Sequence, residues 1–399
     1  MSRDKTLRWR TFWAAVLCCA AAGVEAAEPN IDRIRQDWQA RFAATKDFVY
    51  KTEGKTISPK GTMIIAGDDT APESVRETGY PLEDLSRPYE IDWFVDLQAG
   101  LLRQEKLYPV LNTDTLESSE RQIVEAFDGE TLWTGRRDGE GGIALRPASR
   151  AEWFFTVDDL PFFFAHGIFP LKSLDYKDFS KQTAASLAIT PEGTSVIGGR
   201  SCEVVRARFP GSERKPGESF DIIHLFHIDP LRQSAVLRIE KNYIGDAAAL
   251  RRNMGIKSYP SGPVLGMSID IGYQEVEDMW VPERIVKNVY DVLNAGLNDG
   301  NPGADLTQTI ELEVTEVAIN QGIDRALFAQ PLSPGMIVRD DRDEGKKYTV
   351  ADDKRTLVPL PRAGGNESTT SLPYWLAVGG VGCLLLYAGI MIFRRTLRR

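Results

Sequence analysis

Alternation of apolar and polar residues is the feature that most constrains the fold of this chain. From Phe48 onward the hydrophobic period is mostly two, as in a strand with one buried and one wet face. The pattern is clearest at 89–97, 237–243, 267–273 and 310–314. These segments predict a mainly β domain.

Short turn sequences separate many of the apolar runs. Tight connections join antiparallel neighbours, whereas parallel strands need crossovers of a dozen residues that the chain does not supply regularly. The turns are Asp128-Gly129, Asp138-Gly139, Gly198-Gly199 and Glu277-Asp278. We therefore expect a large twisted antiparallel sheet or an unclosed half-barrel.

Two regions depart from this period. After Pro29-Asn30, apolar residues recur at helical spacing at Ile31, Ile34, Trp38 and Phe42, with charged residues such as Arg41 between them, which predicts an N-terminal helix. The aromatic-rich stretch 150–170 predicts two short helical pieces broken at Pro161. Both regions are expected to pack on the concave face of the sheet.

The N-terminus has the three parts of a secretory signal. A basic start precedes the apolar run 11–23, and Val24-Glu25-Ala26 places small side chains before a cleavage site after Ala26. The pair Cys18-Cys19 offers a lipidation alternative. Leu17 stands before it, however, where a small residue is expected. The prediction is a signal peptide at 1–26.

The C-terminus predicts one transmembrane helix. Residues 374–393 contain no charge over 20 positions, which is long enough for a helix of about 30 Å to span a bilayer. Four arginines follow, and arginines favour the cytoplasmic side. A buried terminal helix and a cleaved sorting signal are the alternatives. The favoured topology is a cell-membrane protein with its domain outside the cytoplasm, periplasmic in a Gram-negative type of cell.

These segments set the predicted organisation. A β domain is expected at 27–330, an extended Pro- and Gly-containing stalk at 331–373, the membrane helix at 374–393 and a basic cytoplasmic tail at 394–399. Within the stalk, Tyr348–Val350 could still form an edge strand. Outside the signal and tail the chain keeps 40 of its 48 basic and 55 of its 57 acidic residues, a net charge of about −15. That charge disfavours nucleic acid as a partner. Other protein partners are not identified.

The external part offers little for catalysis. His224 and His227, three apart on a predicted strand, are expected to point to opposite faces and share no metal. Cys202 is the only cysteine of the predicted external domain, so no intramolecular disulfide is expected there. It lacks a nominated base and is expected to be a small core residue. Walker, G-x-S-x-G and H-E-x-x-H motifs are absent from the sequence. We expect no catalytic residue, metal or cofactor, and no enzyme.

A series of short motifs occurs in a characteristic order. They are Phe48-Val49-Tyr50, 127–133, 197–205, 227–230 with 237–240, Met279-Trp280-Val281-Pro282, 317–320 and Leu327-Phe328. The series resembles the periplasmic lipoprotein-carrier superfamily, which includes the Lol carriers and the related envelope-stress regulator. The resemblance implies a half-barrel whose covering helices enclose an apolar interior that receives acyl chains.

The resemblance also implies the site residues. Trp93, Phe127, Trp133, Ile239 and Met267 would line the interior. Phe162, Phe163 and Phe164 would form part of the lid.

Three hypotheses of function follow. The first is a non-enzymatic, membrane-anchored domain that binds lipid or lipoprotein acyl chains. The second is an envelope-sensing or protein-interaction ectodomain with a filled core. The third is a hydrolase whose site would need distant carboxylates to converge on His166.

Overall fold

The computed structural model describes residues 28–62, 81–111, 118–136, 142–146, 159–169, 183–208, 220–245, 262–292 and 305–360. Two α-helices and a sheet of 17 strands account for most of them. The helices are α1 (Ile31–Ala44) and α2 (Leu160–Phe164). The strands are β1 (Asp47–Ser58), β2 (Leu85–Pro88), β3 (Glu90–Asp96), β4 (Leu101–Leu111), β5 (Ser118–Phe127), β6 (Leu132–Gly135), β7 (Ile143–Arg146), β8 (Ala188–Ile197), β9 (Arg200–Arg208), β10 (Phe220–Asp229), β11 (Ala235–Gly245), β12 (Val264–Val276), β13 (Met279–Asp291), β14 (Asp305–Ile319), β15 (Ile337–Asp340), β16 (Lys346–Val350) and β17 (Leu357–Pro359).

The strands pair in one continuous path. It runs β8-β9-β10-β11-β12-β13-β14-β1, then through the collinear β2 and β3 to β4-β5-β6-β7-β15-β16-β17. All pairs are antiparallel except β7 with β15, which is parallel. In the pairings of the described strands, β8 and β17 are the two ends of the path. The predicted unclosed, mainly antiparallel sheet is confirmed, with one parallel exception.

The predicted N-terminal helix is also confirmed. The side chain of Asn30 accepts a hydrogen bond from the Arg33 amide and so caps the first turn. Ile34 and Trp38 are buried at helical spacing. Arg41 corrects the sequence interpretation, which grouped it with the polar positions: three residues after Trp38, it lies on the same buried face.

The sheet curves strongly around α2. Phe163 contacts Trp93 of β3 with ring centroids 4.9 Å apart, and Phe164 contacts Phe226 of β10 at 5.0 Å. Six strand-to-strand steps separate β3 from β10, which is about 29 Å along a flat sheet at the usual spacing of about 4.8 Å. Adjacent residues of one short helix reach both strands only because the sheet curls around them. The unclosed sheet is therefore strongly curved, which is compatible with the expected half-barrel.

The predicted stalk is wrong for residues 331–360. Strands β15 to β17 belong to the sheet, and Val338 and Val350 are buried with Trp133 in a second hydrophobic cluster. The proline and glycine content suggested an extended linker, but β15 pairs with β7 almost 200 residues earlier. A pairing over that distance leaves no local signal in the sequence.

Three of the four predicted turns join the expected strands. Gly198-Gly199 and Glu277-Asp278 are two-residue hairpins in which both residues have positive φ. Asp128-Gly129 lies in the connection between β5 and β6. Asp138-Gly139 lies outside the described residues.

Pro161 was predicted to separate two helical pieces of the aromatic segment, and the structure places it differently. Pro161 occupies the first turn of α2, where its missing N–H is tolerated, and does not separate two helical pieces. Residues 147–158, the place of the first predicted piece, lie outside the described residues.

Neither described helix combines the length and apolar character that crossing a bilayer requires. The predicted signal peptide at 1–26 and the predicted transmembrane helix at 374–393 both lie outside the described residues.

Close backbone approach at Gly54 gives a test of the β1–β14 pairing. A methyl group at this position would overlap the Glu311 carbonyl oxygen across the pair. We expect Gly54→Ala to lower the free energy of unfolding by about 1–3 kcal/mol, measured by urea denaturation. Gly272→Ala is the matched control, because its methyl group would meet no atom closer than 3.6 Å. Equal stability of the two variants would contradict the pairing register.

Candidate functional site

An aromatic cluster fills the space between the sheet and the two helices. We call it the interior cluster: Phe48, Tyr50, Trp93, Phe162, Phe163, Phe164 and Phe226. Its rings meet in tilted or edge-to-face arrangements, the geometry that aromatic pairs prefer. All seven side chains are buried. In the described state, the protein's own rings occupy the interior.

The segment Asp159–Phe169, called the covering segment below, supplies three of these rings. Every residue of α2 within it is buried. Beyond α2, Gly167 has a positive φ, and a methyl group there would overlap the backbone of Trp38 in α1. The covering segment therefore lies directly against α1 on one side and the sheet on the other.

Arg41 holds the covering segment to its surroundings. Its guanidinium donates to the carbonyl of Ala165 at 3.1 Å and to the carbonyl of Arg232, in the β10–β11 turn, at 2.7 Å. Arg41 is only 4% exposed, and burial lowers its pKa. One cation thus ties α1, the covering segment and a hairpin turn together.

His166 makes a second polar attachment. The Thr45 hydroxyl donates to the Arg41 carbonyl, so its oxygen accepts from Nδ1 of His166 at 3.0 Å. Nε2 then accepts from the Tyr50 hydroxyl at 2.8 Å. This arrangement uses the neutral imidazole, which also stacks on Phe48. Burial, with a smaller effect of the Arg41 charge, lowers the pKa of His166 to about 3.

Asp159 attaches the opposite end of the covering segment. Its carboxylate is fully buried and accepts from Trp93 Nε1 at 3.2 Å and from Gln104 Nε2 at 2.8 Å. The ammonium of Lys106 lies 3.6 Å away. Nearby, Glu125 is 7% exposed, and burial raises its pKa. A group of polar side chains therefore borders the interior cluster.

The structure gathers seven of the eight predicted site residues. Trp93, Phe127, Phe162, Phe163, Phe164, Ile239 and Met267 belong to one buried cluster. Trp133 is the exception. Phe127 pairs with Leu132 and faces inward, so the next residue, Trp133, faces outward. Its indole donates to the Phe328 carbonyl at 3.0 Å beneath residues 328–350. The prediction that it lines the interior is corrected.

The described residues show where the candidates for catalysis lie. Both nitrogens of His166 bond to hydroxyl groups. Cys202 is 1% exposed in the core, as predicted, and burial raises the pKa of its thiol. His227 contacts Ser195 Oγ at 2.8 Å and lies 3.4 Å from Glu240. Searching the described residues finds no group of three or more His, Cys, Asp or Glu that could hold a metal.

Sequence reasoning missed the buried polar residues of the site. They are Arg41, Gln104, Glu125 and Asp159, with the partly buried Lys106 beside Asp159. Gln104 faces Trp93 across β3 and β4, and Glu125 faces Gln104 across β4 and β5. The alternation of the strands could have indicated some of them, because it predicts which side chains face inward. A polar residue at an inward position needs a hydrogen-bond partner.

Comparisons with known proteins give limited likenesses. No family model and no curated protein matches the sequence. A solved structure described as an outer membrane lipoprotein-sorting protein domain, from Vibrio parahaemolyticus, has 10% identity and a TM-score of 0.37, covering 75% of this chain and 97% of that one. A DUF1329 family protein from Desulfovibrio piger has 9% identity and a TM-score of 0.35, with coverage of 75% and 97%.

Lipoprotein LppX of Mycobacterium tuberculosis has 9% identity and a TM-score of 0.21, covering 74% of this chain and 96% of that one. TM-scores in this range do not establish a common fold. Statements about this chain therefore rest on its own residues.

The buried neutral imidazole predicts a pH dependence of stability. In the unfolded chain His166 takes up a proton near its ordinary pKa of 6.5, but in the folded chain only near 3. Acid therefore favours the unfolded state. As the pH falls from 6.5 towards 3, protonation of His166 in the unfolded chain lowers the free energy of unfolding by up to about 1.4 kcal/mol per pH unit. His166→Gln, whose amide can still donate and accept, is expected to flatten the curve. Urea denaturation from pH 7 to pH 4 measures it, and parallel curves would contradict the assignment.

Proposed function

We propose that this chain is a non-enzymatic, membrane-anchored extracytoplasmic protein that binds the acyl chains of lipid or lipoprotein in its half-barrel. The observation that carries the proposal is the relation between the interior cluster and the covering segment. One short helix supplies three phenylalanines to an aromatic interior enclosed by an open, curved sheet. If that helix moves aside, it leaves an apolar space that the curved sheet bounds.

Side-chain hydrogen bonds hold the covering segment near its two ends, and a short β-bridge between Ile168 and Thr183 adds a backbone attachment beyond α2. Asp159 bonds to the sheet at one end. Ala165 and His166 bond to Arg41, Thr45 and Tyr50 at the other. Between these attachments α2 contributes apolar packing, which an acyl chain could replace.

The energies are compatible with such an exchange. Exposing three phenylalanine side chains costs about 5–9 kcal/mol, at about 1.5–3 kcal/mol for each. Burying an acyl chain from water contributes about 0.8 kcal/mol per CH₂, or about 12 kcal/mol for a chain of sixteen carbons. A single acyl chain that arrives from water therefore offsets the exposure of the three phenylalanine side chains, apart from the polar contacts of the covering segment.

The sequence supports the location within this proposal. The uncharged run 374–393 followed by arginines favours an anchor with the domain outside the cytoplasm. An anchored domain suits a lipid acceptor or sensor at the membrane better than a carrier that moves between membranes.

A reversible clamp on the covering segment tests the proposal. Thr45 Oγ1 and His166 Nδ1 lie 3.0 Å apart, so Thr45→Cys with His166→Cys puts one thiol on each side of this contact and is designed to form a disulfide between the residue after α1 and the covering segment. The full-length protein is reconstituted in phosphatidylcholine liposomes that contain a diazirine-bearing phospholipid. Mass spectrometry locates the labelled peptides after illumination.

The reduced double variant, which lacks the His166 attachment, is expected to be labelled at the peptides that contain Trp93 and Phe162–Phe164 at least as strongly as the wild type. Oxidation is expected to abolish this labelling, and reductant to restore it, while labelling within 374–393 stays constant. The wild type under the same redox treatment is the control. Absence of interior labelling in the wild type would contradict lipid binding.

A second candidate function has its own supporting observation. The interior of the described state is filled by the protein's own rings, as expected of a protein-interaction or envelope-sensing ectodomain. A labelling pattern confined to 374–393 in every state would favour this candidate over the first.

A further inference from the structure

Polar donors converge on a single carboxylate at the edge of the interior cluster. Trp93 Nε1, Gln104 Nε2 and the Lys106 ammonium surround the Asp159 carboxylate at 3.2, 2.8 and 3.6 Å. All three donors belong to the sheet, on β3 and β4. The acceptor belongs to the covering segment. If the covering segment moves, the donors stay behind without Asp159.

More charge lies next to these donors. Glu125 of β5 faces Gln104 across the strand pair, and Arg146 of β7 lies 3.9 Å from the Glu125 carboxylate. Lys106 thus lies beside Asp159, and Arg146 lies beside Glu125. If Asp159 moved away, the partly buried Lys106 ammonium would lose the carboxylate next to it, and another anion in its place would be favoured.

One polar atom of the group lacks a hydrogen-bond partner. Gln104 is 1% exposed, and its Oε1 atom makes no hydrogen bond within the described part of the chain. Its amide nitrogen is already held by Asp159. A ligand head that carries a hydroxyl as well as a negative charge, such as a phosphate monoanion or a glycerol phosphate, could satisfy this acceptor.

Trp93 joins the polar group to the apolar interior. Its ring packs edge-on against Phe163 with centroids 4.9 Å apart, while its N–H holds the Asp159 carboxylate. The indole ring of Trp93 therefore separates the polar donors from the apolar ring of Phe163. A ligand with a tail among the rings would carry its head to these donors.

We propose that Trp93, Gln104 and Lys106 form a head-group site for an anionic amphiphile, in which the ligand's phosphate or carboxylate replaces the Asp159 carboxylate. The inference rests on the proposed function and names the class of ligand. In the closed state the Asp159 carboxylate occupies the place of the ligand's head group, and the phenylalanines of α2 occupy the place of its acyl tail. The same sheet donors are satisfied in both states.

Matched amphiphiles test the site on the full-length protein in phosphatidylcholine liposomes at pH 7.5. The two probes are a diazirine-bearing long-chain alkyl phosphate and the alcohol with the same chain. We expect the phosphate to label the peptide containing Phe162–Phe164 about tenfold more than the alcohol, because charge-assisted hydrogen bonds hold its head. Equal labelling by the two probes would overturn the head-group site and leave acyl binding intact.

Three variants separate recognition of the head from opening of the cover. Lys106→Met is expected to reduce the phosphate-to-alcohol ratio to near one. Lys51→Met, which removes an exposed ion pair with Glu316, is the control and is expected to keep the ratio. Asp159→Asn weakens the attachment of the covering segment but leaves the sheet donors, so both probes should label more strongly at an unchanged ratio. A ratio that Lys106→Met leaves unchanged would overturn the proposal.

Two further outcomes are distinguishable. If neither probe labels the interior of the wild type, the proposed acyl-binding function fails together with its head-group site. If equimolar inorganic phosphate removes the preference for the alkyl phosphate, the site binds a free anion, and the assignment to a lipid head is overturned.

Discussion

Pairing of β1 with β14 is the interaction on which the rest of the structure depends. It joins Phe48 to Ile319 and continues to Ile57 and Thr309, across more than 250 residues of sequence. Strands β2 to β7 extend the sheet from one side of this pair, and β8 to β13 from the other. Without it the chain would form two separate meanders, neither of which could enclose the interior cluster.

Curvature of the joined sheet creates the need for a cover. A strongly curled sheet presents a narrow apolar face that its own side chains cannot close, so α1 and the covering segment fill it. The cost of this arrangement is that helix ends and carbonyl groups become buried. Arg41, His166 and Asp159 supply the hydrogen bonds that make such burial tolerable. The polar contacts that stabilise the closed state are thus the same contacts that a ligand would have to replace.

The fold was more predictable than the site. Alternation in 89–97 and 267–273 correctly predicted β3 and β12, since the two faces of a strand differ in burial over a few residues. Residues 331–360 were misread because β15 is held by a partner remote in sequence. Trp133 was assigned to the interior by the resemblance to the lipoprotein carriers, although the pairing of Phe127 with Leu132 places it on the other face.

The sequence by itself determined the mainly β architecture, the N-terminal helix, the hairpin turns and the supply of aromatic residues for one interior. These depend on periods of two and 3.6 and on turn chemistry, which act over short stretches of chain. Tertiary structure alone decided which polar residues meet. Arg41 and Ala165 are 124 residues apart, and Trp93 and Asp159 are 66 apart. A buried charged group needs partners brought from a distance, so local sequence can mark an inward polar position but cannot identify the residues that it meets.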